Sequence, residues 1–79
     1  MTEAGLDRIQ PGIYRHYKGK QYHVMGQATH SETMESMVIY RALYGEYQLW
    51  IRPSVMFSET VRFEGREVPR FALEVKLNC

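Results

Sequence analysis

The sequence contains one cysteine, Cys79, so neither an internal disulfide nor a cysteine-based zinc cluster can form within the chain. No apolar run approaches the roughly 20 residues that a membrane-spanning helix needs. The segment 1–10 also lacks the basic start and the apolar centre of a signal peptide. Together these absences predict a cytoplasmic protein that does not contact a membrane and that folds without disulfides in a reducing compartment.

An excess of charge of either sign is also missing. Ten Lys and Arg face nine Asp and Glu, which leaves a net charge of +1 at pH 7. Nucleic-acid binders usually have a pI above about 9 or a basic stripe, so the composition does not favour nucleic acid, although a local patch would survive this averaging. With 79 residues the chain forms at most one domain, too small for a deep cleft.

Aromatic residues are abundant by comparison: six Tyr, three Phe and one Trp. Such side chains pack well on a pleated surface and favour strands. Pro11 and Gly12 form a break signal, so we expect residues 1–11 to be a partly ordered lead-in and residues 12–79 to be a single domain.

The first predicted hairpin pairs residues 13–17 with residues 21–28 around a turn centred on Lys18 and Gly19. Gly19 suits this turn because glycine adopts positive φ without a steric cost. With a two-residue turn, one face of the hairpin carries apolar side chains and becomes the predicted core face. These residues are Ile13, Tyr17, Tyr22 and Val24.

The clearest predicted hairpin joins residues 37–43 to residues 47–53, with Gly45 and Glu46 in a type II′ turn. In this register Val38, Tyr40 and Ala42 face the core together with Leu49 and Ile51. Arg41 then lies opposite Trp50, and Ile39 lies opposite Arg52, on the outer face.

The second half of the chain continues the pattern of short strands. Residues 54–58 are predicted to form a short helical turn that buries Met56 or Phe57, and residues 59–63 and 67–71 form a third hairpin. The tail alternates apolar and polar residues from Phe71 onward, which predicts a last strand. The sequence therefore predicts a mainly β fold, a small SH3-like barrel of five or six short antiparallel strands.

Six different short motifs follow one another along the chain. The motifs are residues 12–20 (Gly-Ile-Tyr-Arg-His-Tyr-Lys-Gly-Lys), His30-Ser31-Glu32-Thr33 with Glu35, Tyr40 with Leu43-Tyr44-Gly45, Trp50-Ile51-Arg52-Pro53, Met56-Phe57 with Glu59, and Pro69-Arg70-Phe71. In this order they resemble the bacterial domain-of-unknown-function family 1653. The resemblance implies an SH3-like barrel and implies no activity, because the family has none assigned.

One candidate site is the polar loop formed by His30, Ser31, Glu32, Thr33 and Glu35. It holds a base, hydroxyls and two carboxylates, but adjacent residues in a loop point in different directions, which disfavours a catalytic triad. Side chains of these types commonly satisfy backbone groups in a tight connection. A binding loop is the alternative interpretation.

A second candidate site consists of Arg41, Trp50 and Arg52 on the predicted outer face. Arginine beside tryptophan forms a cation–π pair, and an exposed tryptophan is a typical binding anchor. Alternatively, Trp50 packs beneath a loop and the arginine stems cover it. A further arginine, Arg70, is expected to pair with Glu59 or Glu35 inside the fold.

Metal and cofactor sites are not predicted. His16 and His23 would share a face of the first hairpin, but no third ligand accompanies them, and His30 lies in the loop. We therefore expect no cofactor and no enzymatic activity.

The leading hypothesis is a binding module for a peptide or protein partner. It would use Trp50, Arg41 and Arg52 together with the polar loop. The alternative is a small nucleic-acid-binding barrel, and the third interpretation is an accessory domain of an enzyme. The domain is expected to be a monomer, or a dimer formed by strand addition at the tail beyond Phe71.

Overall fold

Most of the chain is extended because aromatic and β-branched residues recur at every second position. The computed structural model describes residues 8–77. Its elements are β1 (Gly12–His16), β2 (Gln21–Thr29), β3 (Ser36–Ala42), β4 (Leu49–Pro53), α1 (Ser54–Phe57), β5 (Thr60–Phe63), β6 (Arg66–Pro69) and β7 (Phe71–Lys76). The predicted lead-in before Arg8 and the two terminal residues, including Cys79, lie outside the described residues.

The strands form two antiparallel sheets. Five strands pair in the order β4-β3-β2-β1-β7, and β5 and β6 form a separate hairpin. The predicted mainly β class is confirmed. Within residues 8–77 the larger sheet does not close into a barrel, because β4 and β7 are its two edges and do not pair with each other.

The core lies on one face of the five-stranded sheet and is rich in aromatic rings. Phe57 reaches it from α1 and stacks on Phe71, with ring centroids 5.5 Å from Tyr14 and 4.1 Å from Phe71. Pro53 ends β4 and starts the single turn of α1, which buries Phe57 and leaves Met56 44% exposed. The buried hydrophobic residues are Tyr14, Val24, Val38, Tyr40, Ala42, Phe57 and Phe71.

The first hairpin is offset by one residue from its predicted register. Gly12, and not Ile13, lies opposite Val24, so Tyr14 takes the core position that was predicted for Ile13. The cause is the turn: the backbone N–H of His16 donates to the Lys20 carbonyl, which makes the loop three residues long. An odd loop length moves every side chain of one strand to the other face.

The second hairpin is offset in the same way. Tyr40 lies opposite Trp50, and Val38 lies opposite Arg52, so Trp50 and Arg52 share the face of the core residues. The predicted pairs Arg41–Trp50 and Ile39–Arg52 are wrong. The turn at Gly45 and Glu46 is present, because the N–H of Tyr47 donates to the carbonyl of Tyr44. The next bond joins Ala42 to Gln48, so Leu43 has no residue opposite it on the β4 side.

The third hairpin forms where it was predicted, but its second strand is Arg66–Pro69 and not residues 67–71, and Phe71 begins β7. Glu64 and Gly65 both adopt positive φ at the tip of the β5–β6 hairpin, as a two-residue type I′ turn requires. The alternating tail forms β7 and pairs with β1 of the same chain. In the described part of the chain, no helix is long and apolar enough to cross a membrane.

Candidate functional site

The polar loop between β2 and β3 uses its side chains to hold its own backbone. The Nδ1 atom of His30 accepts hydrogen bonds from the backbone N–H groups of Glu32 and Thr33, at 3.1 and 3.4 Å. The hydroxyl of Thr33 accepts one from the N–H of Glu35 at 3.2 Å. Hydrogen bonds of this kind stabilise the conformation of the loop itself, which is a structural role. All five predicted loop residues, Ser31 included, are exposed and lie apart from the aromatic core.

Arg41 lies on the opposite sheet face from Trp50 and Arg52. Its Nη1 donates to the carbonyl of Tyr47 at 2.8 Å, so it braces the β3–β4 loop. Its neighbours on that face are Ile39 and Leu49. The predicted three-residue site therefore separates into Arg41 on the outer face and the other two residues on the core face.

Trp50 is 46% exposed at the rim of the core face, opposite the buried Tyr40. A depression of about 270 Å³ beside it is lined by residues that include Ala42, Tyr44 and Gln48. A larger depression, of about 550 Å³, lies between residues 8–11 and β2, away from the charged residues described below.

We expect Trp50→Ala to leave unfolding cooperative and to lower the free energy of unfolding by about 1–2 kcal/mol, because half of this side chain already faces solvent. Urea melts of the two proteins measure the difference. A loss of about 3 kcal/mol or more would instead place Trp50 in the core.

Arg52 reaches from β4 across the aromatic core. Its Nε donates to the hydroxyl of Tyr40 at 3.2 Å, and its guanidinium carbon lies 5.8 Å from the ring centroid of Phe71. The ion pairs among the described residues are Arg15–Glu74 and Arg70–Glu59, so Arg52 has no carboxylate partner there. A guanidinium group carries five N–H donors in a planar fork, and most of those of Arg52 are free.

Arg70 places a second guanidinium near His16, whose imidazole is affected by its positive charge. Its Nη2 donates to a carboxylate oxygen of Glu59 at 3.1 Å, which confirms the predicted ion pair. Its Nε is buried and has no hydrogen-bond partner within the described part of the chain. A buried N–H without an acceptor is costly, so this group lowers the stability of the site, and a ligand would have to bind the outer N–H groups of Arg70.

His16 connects the two arginines electrostatically. Its ring stacks on Tyr17 with centroids 4.6 Å apart and meets Phe71 edge-on at 5.0 Å. Burial lowers the pKa of His16, and the positive charges of Arg70, Arg52 and Lys18 lower it further. Several cations thus act on one imidazole, which marks a region of positive potential.

Two tyrosine hydroxyls complete the cluster. Those of Tyr22 and Tyr44 lie 2.6 Å apart and share a hydrogen bond. Burial, followed by this hydrogen bond, raises the pKa of Tyr22, so the Tyr22 hydroxyl stays neutral at physiological pH. The ammonium of Lys20 lies 4.8 Å above the ring of Tyr44 and adds another cation at the rim.

We use the name Arg–aromatic surface for the set His16, Tyr22, Tyr44, Arg52, Arg70 and Phe71. Its guanidinium donors can bind an anion, and its rings can pack against the apolar part that carries the anion. Sequence reasoning identified Arg52 and the ion pair of Arg70. It missed His16, Tyr22 and Tyr44, because only the three-dimensional pairing of the strands brings them beside Phe71.

The prediction that His16 and His23 share a face is wrong. Tyr14 and Tyr22 are opposite each other on the core face, so His16 belongs to that face, while His23, opposite Ile13, belongs to the other. Among the described residues, no group of three or more His, Cys, Asp or Glu side chains could hold a metal ion.

The lowered pKa of His16 predicts a pH-dependent stability. Since folding disfavours protonation of this imidazole, the unfolded chain binds more protons near its ordinary pKa of 6.5. Stability should be complete above about pH 6.5 and fall as the pH drops below it. The lowered pKa of Glu74 acts only below its ordinary value of 4.5, outside this window.

Urea melts between about pH 5.5 and 7.5 measure this dependence in the wild type and in His16→Asn. The asparagine retains an acceptor, Oδ1, for the hydrogen bond that the backbone N–H of Lys18 donates to His16 Nδ1 at 3.1 Å. The variant should lose less stability on acidification than the wild type. Equal losses in the two proteins would assign the pH dependence to other groups.

Comparison with known proteins extends the resemblance seen in the sequence. A family model described as "Protein of unknown function (DUF1653)" matches residues 12–73. The crystal structure of a DUF1653 protein from Bordetella bronchiseptica is 36% identical, with a TM-score of 0.80, over 90% of this chain and 94% of that chain. No curated protein matches the chain. Because the family model covers β1 to the first half of β7, this chain belongs to the DUF1653 family.

Proposed function

We propose that this domain is a non-enzymatic binding module that holds a carboxylate of an acidic peptide segment on the Arg–aromatic surface. The observation that carries the proposal is that two guanidinium groups act on one imidazole, His16, and that one of them, Arg52, lies over Phe71. Arg52 has no carboxylate partner among residues 8–77, and Arg70 already binds one carboxylate, that of Glu59.

A carboxylate fits these donors because its two oxygens match the planar fork of a guanidinium group. The chain already contains one such contact, since Glu59 binds Arg70 at 3.1 Å. The net charge of +1 favours a short acidic segment over a long polyanion, whose binding would need an extended basic surface.

Trp50 and Tyr44 extend the site toward the β3–β4 loop. They border the depression of about 270 Å³, where an apolar side chain of the same peptide would rest. This arrangement keeps Trp50 and Arg52 from the predicted site, adds Arg70, and leaves out Arg41 and the loop from His30 to Glu35.

The test is an array of about ten-residue peptides in which each acidic sequence is printed beside its amide counterpart, with Asn for Asp and Gln for Glu. We expect acidic peptides to bind at least about tenfold more tightly than their counterparts, which equals about 1.4 kcal/mol. Arg52→Gln should abolish that preference. Arg41→Gln is the matched control on the other face and should retain it.

Equal binding of acidic and amide peptides would reject the carboxylate proposal. So would equal effects of Arg52→Gln and Arg41→Gln, because only Arg52 lies over Phe71. Thermal melts of both variants confirm that each remains folded before the array is read.

Nucleic acid remains the second candidate, favoured by one observation. The first hairpin turn places Lys18 5.8 Å from the ring of Tyr17 and Lys20 4.8 Å from the ring of Tyr44. Aromatic rings interleaved with cations are typical of single-strand binding surfaces. Titration of a labelled ~12-nucleotide single strand from 50 to 300 mM NaCl tests it, since such binding weakens steeply with salt.

We further propose the cytoplasm as the location of the protein. Support comes from the single cysteine, which leaves the domain without an internal disulfide. Fractionation of the native host, with an antibody against the domain, would test the location. Recovery of the protein in the membrane or secreted fraction would reject it.

A further inference from the structure

The edge strand β4 exposes unpaired backbone groups at two residues. The N–H of Ala42 donates to the carbonyl of Gln48, so the even-numbered residues of β4, which lie opposite even-numbered residues of β3, form the hydrogen-bonded pairs. The N–H and C=O groups of Leu49 and Ile51 therefore point away from β3. Since β4 ends the sheet, these groups face an open edge in the described structure.

The two edges of the sheet differ in how well they are protected. In β7 a register shift lies beside Glu74, and that carboxylate pairs with Arg15 at 2.6 Å. Irregularities and charges of this kind block the addition of a further strand. The pairing of β4 with β3 has no register shift, and its exposed side chains are apolar: Leu49 is 53% exposed and Ile51 62%.

We propose that β4 pairs antiparallel with β4 of a second copy of this chain across a two-fold axis. The register is determined by the groups that are available. When Leu49 of one copy lies opposite Ile51 of the other, each residue donates its N–H to the carbonyl of the other. The two-fold axis generates the same pair of hydrogen bonds between Ile51 of the first copy and Leu49 of the second. A shift of two residues in one direction would make Pro53 a hydrogen-bonding residue, and proline has no N–H. A shift of two residues in the other direction would use Tyr47, whose φ of 55° is not that of an extended strand.

The side chains are compatible with this register. Trp50 meets Trp50 of the second copy across the axis as a close, non-hydrogen-bonded pair, which suits two aromatic rings. On the other face Leu49 contacts Ile51 of the second copy. Arg52 lies opposite the uncharged Gln48 of the second copy, so this register places no like charge directly across from it. Each feature favours self-association over repulsion.

The free backbone groups of β4 carry this inference, so it stands whether or not the guanidinium groups bind a carboxylate. It also replaces the predicted route to a dimer. The tail that was expected to pair across a dimer pairs with β1 along one side and is irregular at Glu74, whereas the edge without a register shift lies at the other end of the sheet.

Light scattering after gel filtration, from about 10 µM to 1 mM protein, measures the mass directly. We expect it to rise from that of the 9.3 kDa chain toward twice that value as concentration increases. Fluorescence of Trp50, the one tryptophan in the sequence, should shift to the blue over the same range because the ring loses water at the two-fold axis.

Two variants of similar exposure distinguish the edges. Ile51→Lys should raise the dimer dissociation constant at least about tenfold, whereas Val75→Lys, on the 50% exposed Val75 of β7, should leave it unchanged. Ile51→Pro removes one edge N–H without removing a bond to β3 and should also give a monomer. Circular dichroism measures whether each variant is folded. If Ile51→Pro is unfolded, the comparison of Ile51→Lys with Val75→Lys decides between the two edges.

A wild-type protein that is monomeric at every concentration would overturn the proposal. A dimer that Ile51→Lys leaves intact, or that Val75→Lys disrupts, would also overturn it and would return the interface to the C-terminal strand.

Discussion

Phe57→Ala is expected to lower the free energy of unfolding by about 3–5 kcal/mol. Phe57 is 2% exposed and contacts three core rings, with centroids 4.1 Å away at Phe71, 5.4 Å at Tyr40 and 5.5 Å at Tyr14. Removing it leaves a cavity in the centre of a small core that cannot collapse around it. Since domains of this kind are stabilised by only about 5–15 kcal/mol, the loss is a large fraction of the total.

Met56→Ala is the matched control for this measurement. The two residues are adjacent in the single turn of α1, but Met56 is 44% exposed. Its replacement should cost less than about 1 kcal/mol. Urea melts of the three proteins give both values. Similar losses for the two substitutions would mean that α1 does not direct one residue inward and the other outward.

Gly12→Ala is expected to cost about 3 kcal/mol, at the upper end of the usual range for overpacking. A Cβ atom at this position would lie 2.2 Å from the carbonyl oxygen of Val75. That oxygen belongs to the backbone of β7, so it cannot rotate away as a side chain could. To accept the methyl group, β1 and β7 must move apart, which weakens the pairing of both strands.

A second substitution separates this cause from side-chain crowding. The same Cβ atom would lie 2.9 Å from Cδ1 of Leu73, a contact that Leu73→Ala removes. Because the backbone contact remains, Gly12→Ala with Leu73→Ala should recover none of the loss. Full recovery in the double variant, or a loss below about 0.5 kcal/mol in Gly12→Ala alone, would contradict a close approach of the two strands.

Much of the local structure followed from patterns in the sequence. Alternation located the strands, including the last one, and the Gly45–Glu46 turn was predicted at the correct residues. Pro53 was predicted to end a strand, and it does. The ion pair of Arg70 with Glu59 was one of two predicted alternatives. These features depend on turn chemistry and on neighbouring residues, which a sequence displays directly.

The register of the two hairpins was not determined by the same patterns. Each loop holds an odd number of residues, three in the first and five in the second, where two were predicted, and an odd number exchanges the two faces of a strand. In the first hairpin this brought Tyr14 into the core in place of Ile13. In the second it moved Trp50 and Arg52 to the core face and left Arg41 on the other.

The sequence by itself determined the fold class, the positions of the strands along the chain and the family, because each depends on residues close together in the chain or on an ordered series of motifs. Only the tertiary structure decided which side chains meet at Phe71. His16, Tyr22 and Arg52 come from three different strands, and their contacts with that ring depend on strand registers that no local pattern specifies. A shift of one residue in either hairpin would have separated them, since successive side chains of a strand point to opposite faces.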